Sequence, residues 1–102
     1  MIISSQRYID DEIVAAKIAG QDFEVQVSPE FEVDGMVVRV VTDGHHSMAA
    51  ALLAGVSPVY VEQDASENDL VGLIEQGRID DFLAMARIDS DYYDVVTGED
   101  VW

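Results

Sequence analysis

The fold of this chain is decided by residues 42–55, which read TDGHHSMAAALLAG. A β-branched apolar run, Met36–Val41, comes directly before them and is typical of a buried strand. The alanine- and leucine-rich part that ends at Gly55 predicts a helix, so the segment joins a strand, a polar turn and a helix. Because the N–H groups in the first turn of a helix have no intrahelical partners, anions bind there. The turn that holds His45 and His46 is therefore a candidate site.

The size and composition of the chain indicate one globular domain, residues 1–102. There is no cysteine, which excludes disulfides, thiol nucleophiles and cysteine-ligated metals and fits a reducing compartment. Residues 1–7 do not resemble a leader peptide, and no window approaches membrane-spanning length. We therefore expect a cytoplasmic protein that has no membrane partner.

The charge is strongly negative, with 21 Asp and Glu residues against 5 Lys and Arg residues and a formal net charge of −16. Nucleic-acid binding relies on basic residues that neutralise phosphates, so direct binding to DNA or RNA is disfavoured. Three explanations of the acidity stay open: a solvated surface, a face that docks on a basic partner or imitates nucleic acid, and a host with high internal salt.

The residues before the central segment predict a sheet and one helix. Asp34-Gly35 is a favoured two-residue turn, which predicts a hairpin that leads into the Met36–Val41 strand. Pro29 interrupts the preceding strand, because proline has no N–H to donate. The remaining predicted elements here are a strand at 2–4, a helix at 10–20 and alternating strands at 23–27 and 31–33.

The residues after Gly55 complete the pattern. A strand is predicted at 58–62, and we expect it to pair in parallel with Met36–Val41 across the intervening helix. Ser66 and Asp69 have the spacing of a capping box, which predicts the start of a helix that ends near Gly77. The last predicted elements are a helix at 79–87, with Ile79, Phe82, Leu83 and Met85 turned inward, and a hairpin at 92–102 with its turn near Gly98. Together these elements predict an α+β fold with a small mixed sheet and packed helices.

Residues 40–59 resemble the ParB/sulfiredoxin superfamily, in particular a ParB-like N-terminal domain. The shared pattern is a strand, Asp-Gly-x-His-Arg, a small-residue helix, a glycine, and a strand that begins near a proline. The predicted helix and strand upstream are also similar to those that precede this motif in the family. The resemblance covers a motif region, residues 9–62, and implies a small single-domain member of the family. Residues 63–102 form an acidic helical and hairpin region outside it.

The chain departs from the family at two positions of the turn. Ser47 stands where the motif's arginine is usual, and His45 stands where sulfiredoxins have their catalytic cysteine. His46, Asp43 and Gly44 keep the family residues. The resemblance therefore implies a degraded phosphate- or nucleotide-binding turn, formed by Asp43, Gly44, His45, His46 and Ser47.

The chemistry of this turn allows several interpretations. His46 and Asp43 are the candidate catalytic residues, because a histidine titrates near neutral pH and a carboxylate can orient it. A nucleotide with Mg²⁺ held by carboxylates would be the cofactor of such a site. In the alternative interpretation, Asp43 caps the helix and both histidines are turn residues. No metal site is expected from His45 and His46 alone, since adjacent histidines rarely converge on one ion.

A second candidate surface lies in the acidic half of the chain, which holds 12 of the 21 carboxylates beyond Val61. Aromatic side chains with an acidic rim suit the recognition of a basic protein. In the alternative interpretation, the aromatic residues near the end, including Trp102, close the core. The candidate partner-binding residues are Asp89, Asp91, Tyr92, Tyr93 and Asp94.

Two classes of function follow from the sequence. The first is a small acidic accessory protein, of the plasmid- or phage-borne kind that the resemblance implies, which acts as an interaction module for a basic protein. An inhibitor that imitates DNA is a special case of this class. The alternative is a nucleotide-dependent enzyme, a phosphoryl transferase or a nuclease, that uses the Asp-Gly-His-His turn. The carboxylate excess favours the first class, and the retained turn favours the second.

Overall fold

The computed structural model describes residues 1–102 and has six strands and four helices, so the predicted α+β class is confirmed. In chain order the elements are β1 (Ile2–Ser4), α1 (Asp11–Ala19), β2 (Glu24–Val27), β3 (Phe31–Val33), β4 (Met36–Asp43), α2 (His45–Ala54), β5 (Val59–Glu62), α3 (Val71–Glu75), α4 (Ile79–Ala86) and β6 (Tyr93–Asp94). None of the four helices has the length and apolarity needed to cross a membrane.

Strand β4 is the centre of a mixed sheet with the order β5-β2-β4-β1-β6. On one edge β4 pairs in parallel with β1, with Ile3 opposite Val40. On its other edge β4 pairs in antiparallel fashion with β3 along its first half and with β2 along its second half. The predicted β3–β4 hairpin is confirmed, and its turn places Asp34 and Gly35 at φ 51° and 77°, as a type I′ turn requires.

Ser28 bridges the break between β2 and β3 that Pro29 causes. Its N–H donates to the Val40 carbonyl at 2.8 Å, and its Oγ accepts from the Val40 N–H at 3.0 Å. Ser28 is fully buried, so no solvent can replace the hydroxyl. A side chain thus supplies the acceptor that the interrupted strand lacks, and β4 stays hydrogen-bonded across the gap.

The sheet separates two apolar clusters, because side chains alternate between its faces. Val38 and Val40 point into the larger cluster, where Phe82 of α4 is fully buried and packs edge-on against Phe31 at 5.6 Å between ring centroids. Val41 points the opposite way, into a smaller cluster with Met48 of α2. Helices α3 and α4 therefore cover one face and α2, with α1 packed beside it, covers part of the other.

Two predictions about the sheet and the third helix are wrong. Strand β5 does not pair with β4, because β2 occupies that edge; β5 instead pairs in parallel with β2. The residues from Ser66 to Asp69 do not begin a helix, because the Asp64 carboxylate accepts from the N–H groups of Ser66 and Glu67 and holds a turn. Helix α3 is consequently only five residues long.

The remaining predictions for the second half of the chain are confirmed with one exception. Helix α4 buries Phe82 and partly buries Ile79 and Leu83, as expected, but Met85 is exposed. The C-terminal hairpin also forms, with Gly98 at φ 75° in its turn.

Replacing Ser28 with alanine leaves the buried Val40 N–H without an acceptor. We expect Ser28→Ala to lower the free energy of unfolding by about 1–3 kcal/mol, the usual cost of an unsatisfied buried group. Denaturant unfolding followed by circular dichroism measures this change. The matched control is Ser57→Ala at an exposed position, which should stay within about 0.5 kcal/mol of the parent. Equal stabilities of the two variants would contradict the bridging role.

Candidate functional site

The turn between β4 and α2 depends on glycine at position 44. Gly44 has φ 84°, a conformation that other residues rarely adopt. A Cβ at this position would lie 2.7 Å from the Glu24 carbonyl oxygen and 3.0 Å from the Val25 Cα. The first turn of α2 therefore rests directly on the backbone of β2, and this close packing explains the glycine at position 44.

A polar cleft of about 320 Å³ lies at the N-terminus of α2. Asp43 is exposed and does not cap the helix; its carboxylate accepts only from the adjacent Gly44 N–H. Three carboxylates border the cleft, which makes its potential negative and opposes the binding of a phosphate. The lining residues are Lys17, Asp22, Glu24, Gln26, Asp43, Gly44 and Ser47.

Lys17, the single basic residue of the cleft, is already paired. Its Nζ donates to Asp22 at 2.8 Å, and this hydrogen bond holds the pKa of the Asp22 carboxyl below its usual value. Ser47 is buried and its Oγ donates to the same carboxylate at 3.3 Å. Ser47 thus hydrogen-bonds to the Lys17–Asp22 ion pair from a buried position.

His46 links the two neighbouring helices. Its Nε2 accepts from the backbone N–H of Asp10 at 3.1 Å, and the Asp10 side chain in turn caps α1 by accepting from the N–H groups of Glu12 and Ile13. An accepting Nε2 is the unprotonated nitrogen of the ring. The nitrogen that would act as a base is therefore engaged with the backbone of the fold.

His45 lies on a different side of the turn from Asp43. It is 7% exposed, and both of its ring nitrogens are shielded from solvent. Burial is the main cause that lowers its pKa, and the neighbouring His46 acts in the same direction, while a hydrogen bond with the Tyr8 backbone and the charge of Asp89 oppose them. The ring borders an apolar cavity of about 240 Å³ between α2 and the segments at 7–9 and 93–95.

The structure therefore separates the five residues predicted to form one site. Asp43, Gly44 and Ser47 line the polar cleft, His45 borders the apolar cavity, and His46 is bound to α1. No group of three or more His, Asp or Glu side chains is arranged to hold a metal ion. His46 and Asp43 hydrogen-bond to different backbone groups, His46 to Asp10 and Asp43 to Gly44.

The five predicted partner-binding residues all make contacts within the chain. Asp89 accepts from the N–H groups of Arg7 and Tyr8, Asp91 pairs with Arg87, and Asp94 accepts from Val96. The Tyr92 hydroxyl donates to the Leu83 carbonyl from a buried position, and burial raises the pKa of Tyr92 to about 12. The Tyr93 hydroxyl donates to the Gln6 carbonyl. Of the aromatic residues that the alternative interpretation places in the core, Tyr92 is buried, whereas Tyr93 is half-buried and Trp102 is 47% exposed.

Each of the five basic side chains forms an ion pair with at least one carboxylate. Arg39, for example, contacts Glu62 at 2.8 Å and Glu30 at 3.6 Å. Six of the 21 carboxylates take part in such pairs, so most of the negative charge has no cationic partner. The other pairs are Arg7–Asp100, Lys17–Asp22, Arg78–Asp81 and Arg87–Asp91.

The sheet has an apolar edge that the sequence alone does not predict. Strand β5 lies at the end of the strand order and all four of its residues are exposed, with Val59, Tyr60 and Val61 at 57%, 38% and 37%. Leu53, in the last turn of α2, and Val56, between α2 and β5, are exposed as well. The strand was predicted, but its place at the edge follows from the pairing of β2, which no local pattern indicates.

Comparison with known proteins gives no match. No protein-family model matches the chain, and no curated protein or solved structure matches it. The resemblance of residues 40–59 to the ParB/sulfiredoxin superfamily therefore stays a hypothesis based on the residues of the turn.

The close approach at Gly44 predicts a large effect of a single methyl group. Gly44→Ala and Gly55→Ala both place alanine at a positive φ, which costs about 1–2 kcal/mol. Only Gly44→Ala also drives a Cβ into the β2 backbone, so we expect it to cost about 1–3 kcal/mol more than Gly55→Ala. Denaturant unfolding of the two variants measures the difference. If both lose the same stability, α2 does not depend on this contact.

The buried His45 predicts a loss of stability in mild acid. Because the folded-state pKa lies below the ordinary value of 6.5, the unfolded chain binds the proton more readily. The stability that neutral His45 provides is complete above pH 6.5 and is lost as the pH falls below it. Carboxylates with a lowered pKa, such as Asp22 and Asp89, start from 3.8 and act only in stronger acid. Unfolding curves between about pH 7.5 and about pH 5 should show this loss.

The control for this prediction is His45→Leu, which cannot take up the proton. We expect the variant to have a flatter dependence of stability on pH than the parent over the same range. Parallel pH profiles of parent and variant would show that His45 is not the responsible group.

Proposed function

We propose that this chain is an acidic, non-enzymatic interaction module that binds an extended basic segment of another protein along strand β5. The observation that carries this proposal is the exposed apolar edge of β5. Exposed hydrophobic edges pair readily with other strands, and monomeric proteins usually protect them. The centre of β5, Val59-Tyr60-Val61, has no lysine, proline or bulge that would block pairing.

The backbone of β5 offers free hydrogen-bonding groups on its outer side. Val59 donates inward to the Phe23 carbonyl and Gln63 donates inward to the Val27 carbonyl. Since alternate residues of a strand point their N–H groups in opposite directions, those of Tyr60 and Glu62 point away from the sheet. A partner strand can therefore extend the sheet at this edge.

The charge around β5 selects the partner. The 38 residues between Arg39 and Arg78 contain no Lys or Arg. They contain six carboxylates, of which Glu62 is paired with Arg39; the other five are Asp43, Asp64, Glu67, Asp69 and Glu75. A second copy of this chain would bring a further net charge of −16 to the same edge, which opposes self-pairing. A strand rich in lysine or arginine brings complementary charge and is the favoured occupant.

The alternative, a nucleotide-dependent enzyme, is supported by one observation, the uncapped first turn of α2. Three carboxylates border the cleft at that turn and Lys17 is paired within it, and both features oppose nucleotide phosphates. The interaction module is therefore the better-supported function. The resemblance to the ParB/sulfiredoxin superfamily is consistent with it, since that superfamily includes plasmid- and phage-borne accessory proteins.

The test is a two-dimensional NMR titration of the labelled chain with a peptide of alternating lysine and valine. We expect saturable shifts at residues 59–63. The matched control peptide alternates glutamate and valine, and it should cause none because like charges repel. Adding ATP with Mg²⁺ in a separate titration tests the alternative, which predicts shifts at residues 43–48 instead.

Two variants at one position isolate the backbone contribution. Tyr60→Pro removes an outward N–H without breaking a bond to β2, and we expect at least a tenfold loss of affinity for the lysine peptide. Tyr60→Ala keeps this N–H and should lose less. Shifts that spread over the whole acidic surface, or equal affinities of the two variants, would contradict binding along β5.

A further inference from the structure

Helix α2 has a composition that does not match its surroundings. Its ten residues, His45–Ala54, include no Asp, Glu, Lys or Arg. A helix that is apolar on all sides is normally covered on all sides. Helix α1 packs beside α2 and the sheet lies beneath it, yet Leu52 is 60% exposed. The side of α2 that carries Leu52 therefore lacks a neighbour that its composition predicts.

The part of the sheet next to this side of α2 is also uncovered. Val37 and Val41 point to the same face of β4, because side chains alternate along a strand. Val41 is buried in the cluster that contains Met48 of α2, whereas Val37 is 53% exposed. Helix α2 thus covers only one half of this face of β4, and the other half is open.

Two cavities join into one apolar trough beside α2. Leu52 and Val95 border the first, and the second lies against Ile2 and Val37; each has a volume of about 240 Å³. Ile2 and Val95 connect them, since the Val95 N–H donates to the Ile2 carbonyl at 3.1 Å and both side chains pack against the cluster that contains Met48. We call this surface the α2 trough and define it by Ile2, Val37, Met48, Leu52 and Val95.

We propose that the α2 trough docks an amphipathic helix of a partner protein, with lysine or arginine flanking the apolar face of that helix. A helix that lies in an apolar groove is a recurrent mode of recognition. The ten residues of α2 extend for about 15 Å at 1.5 Å per residue, so about three turns of a partner helix can lie along it. This surface is independent of the β5 edge, because β5 and β6 are at opposite ends of the strand order and Val95 directly follows β6.

The end of the trough at the start of β1 has an excess of carboxylates. Arg39, which pairs with Ile2, contacts Glu30 at 3.6 Å and Glu62 at 2.8 Å. Glu32 is exposed and lies opposite Val37 in the β3–β4 pair. Three carboxylates thus accompany one cation at this end, which leaves negative charge to meet lysine or arginine.

The end of the trough beyond β1 is negative as well. Arg7 borders the first cavity and donates from Nη2 to Asp100 at 3.1 Å and from its backbone N–H to Asp89 at 2.9 Å. Two carboxylates therefore accompany one cation. With negative charge at both ends and apolar side chains between them, the trough is complementary to a basic amphipathic helix.

The same charges disfavour two other occupants. A second copy of this chain would bring the same negative ends and a net charge of −16. An anionic membrane surface would be repelled for the same reason. A basic helix is therefore the favoured occupant of the trough.

The experiment titrates the full-length labelled chain with a helical peptide of about 18 residues that contains only leucine and lysine. Its leucines are three and four residues apart, so they form one face of the helix. The matched control peptide has the same composition in an order that spreads the leucines around the helix. We expect saturable NMR shifts at Ile2, Val37, Leu52 and Val95, and about tenfold tighter binding of the amphipathic peptide than of the control peptide.

Two exposed leucines on α2 provide the matched variants. Leu52→Lys places a like charge in the trough and removes apolar surface, so it should weaken binding of the amphipathic peptide about tenfold. Leu53→Lys makes the same change outside the trough and should leave the affinity close to that of the parent. Both side chains are exposed, so both variants should fold.

Several results would overturn the proposal. Equal affinities of the two peptides would mean attraction by charge alone, and equal affinities of the two variants would place the helix elsewhere. Shifts confined to residues 59–63 would mean that the peptide binds only at β5. A dimer in sedimentation that Leu52→Lys dissociates and Leu53→Lys does not would assign the trough to a second copy. Binding to phosphatidylcholine vesicles with the same dependence on Leu52 would assign it to a lipid surface.

Discussion

The pairing of β4 on both of its edges is the constraint on which the rest of the domain depends. This strand connects β1 on one side with β2 and β3 on the other, and its alternating side chains supply both apolar clusters. Its last residues also place Gly44 against the backbone of β2, and this contact fixes where α2 begins. Ser28 keeps the strand hydrogen-bonded where Pro29 breaks its neighbour. The polar cleft lies at the end of this strand, where Asp43 and Gly44 border it.

The histidine turn shows how adjacent residues come to serve different surfaces. A helix turns by about 100° at each residue, so His45, His46 and Ser47 leave the first turn of α2 in three directions. One enters an apolar cavity, one reaches the cap of α1, and one meets the Asp22 carboxylate. In this chain the three side chains of the turn mainly make structural contacts. The functional interest moves to the cavity and to the sheet edge.

Local signals in the sequence predicted most of the elements, because each of them has a local cause. The Asp34-Gly35 turn, the Asp10 cap and the β-branched β4 strand are examples. The neighbour of β5 was mispredicted, since strand order depends on which edge of β4 is free after β2 and β3 have paired. The candidate site was only partly predictable for a related reason. Tertiary packing brings Arg7, Leu52 and Val95 to one cavity. Their spacing in the sequence does not predict this.

The chain has five cations, all of them paired, against 21 carboxylates. The stability of the domain should therefore depend on ionic strength. Dissolved salt shortens the range of electrostatic forces to about 10 Å in roughly 0.1 M solution. Screening relieves the mutual repulsion of the unpaired carboxylates, which favours the compact state, and at the same time it would weaken the proposed attraction of a basic strand to β5. The salt concentration that stabilises the fold most is thus the one at which the proposed docking would be weakest, and dilute electrolyte would favour docking.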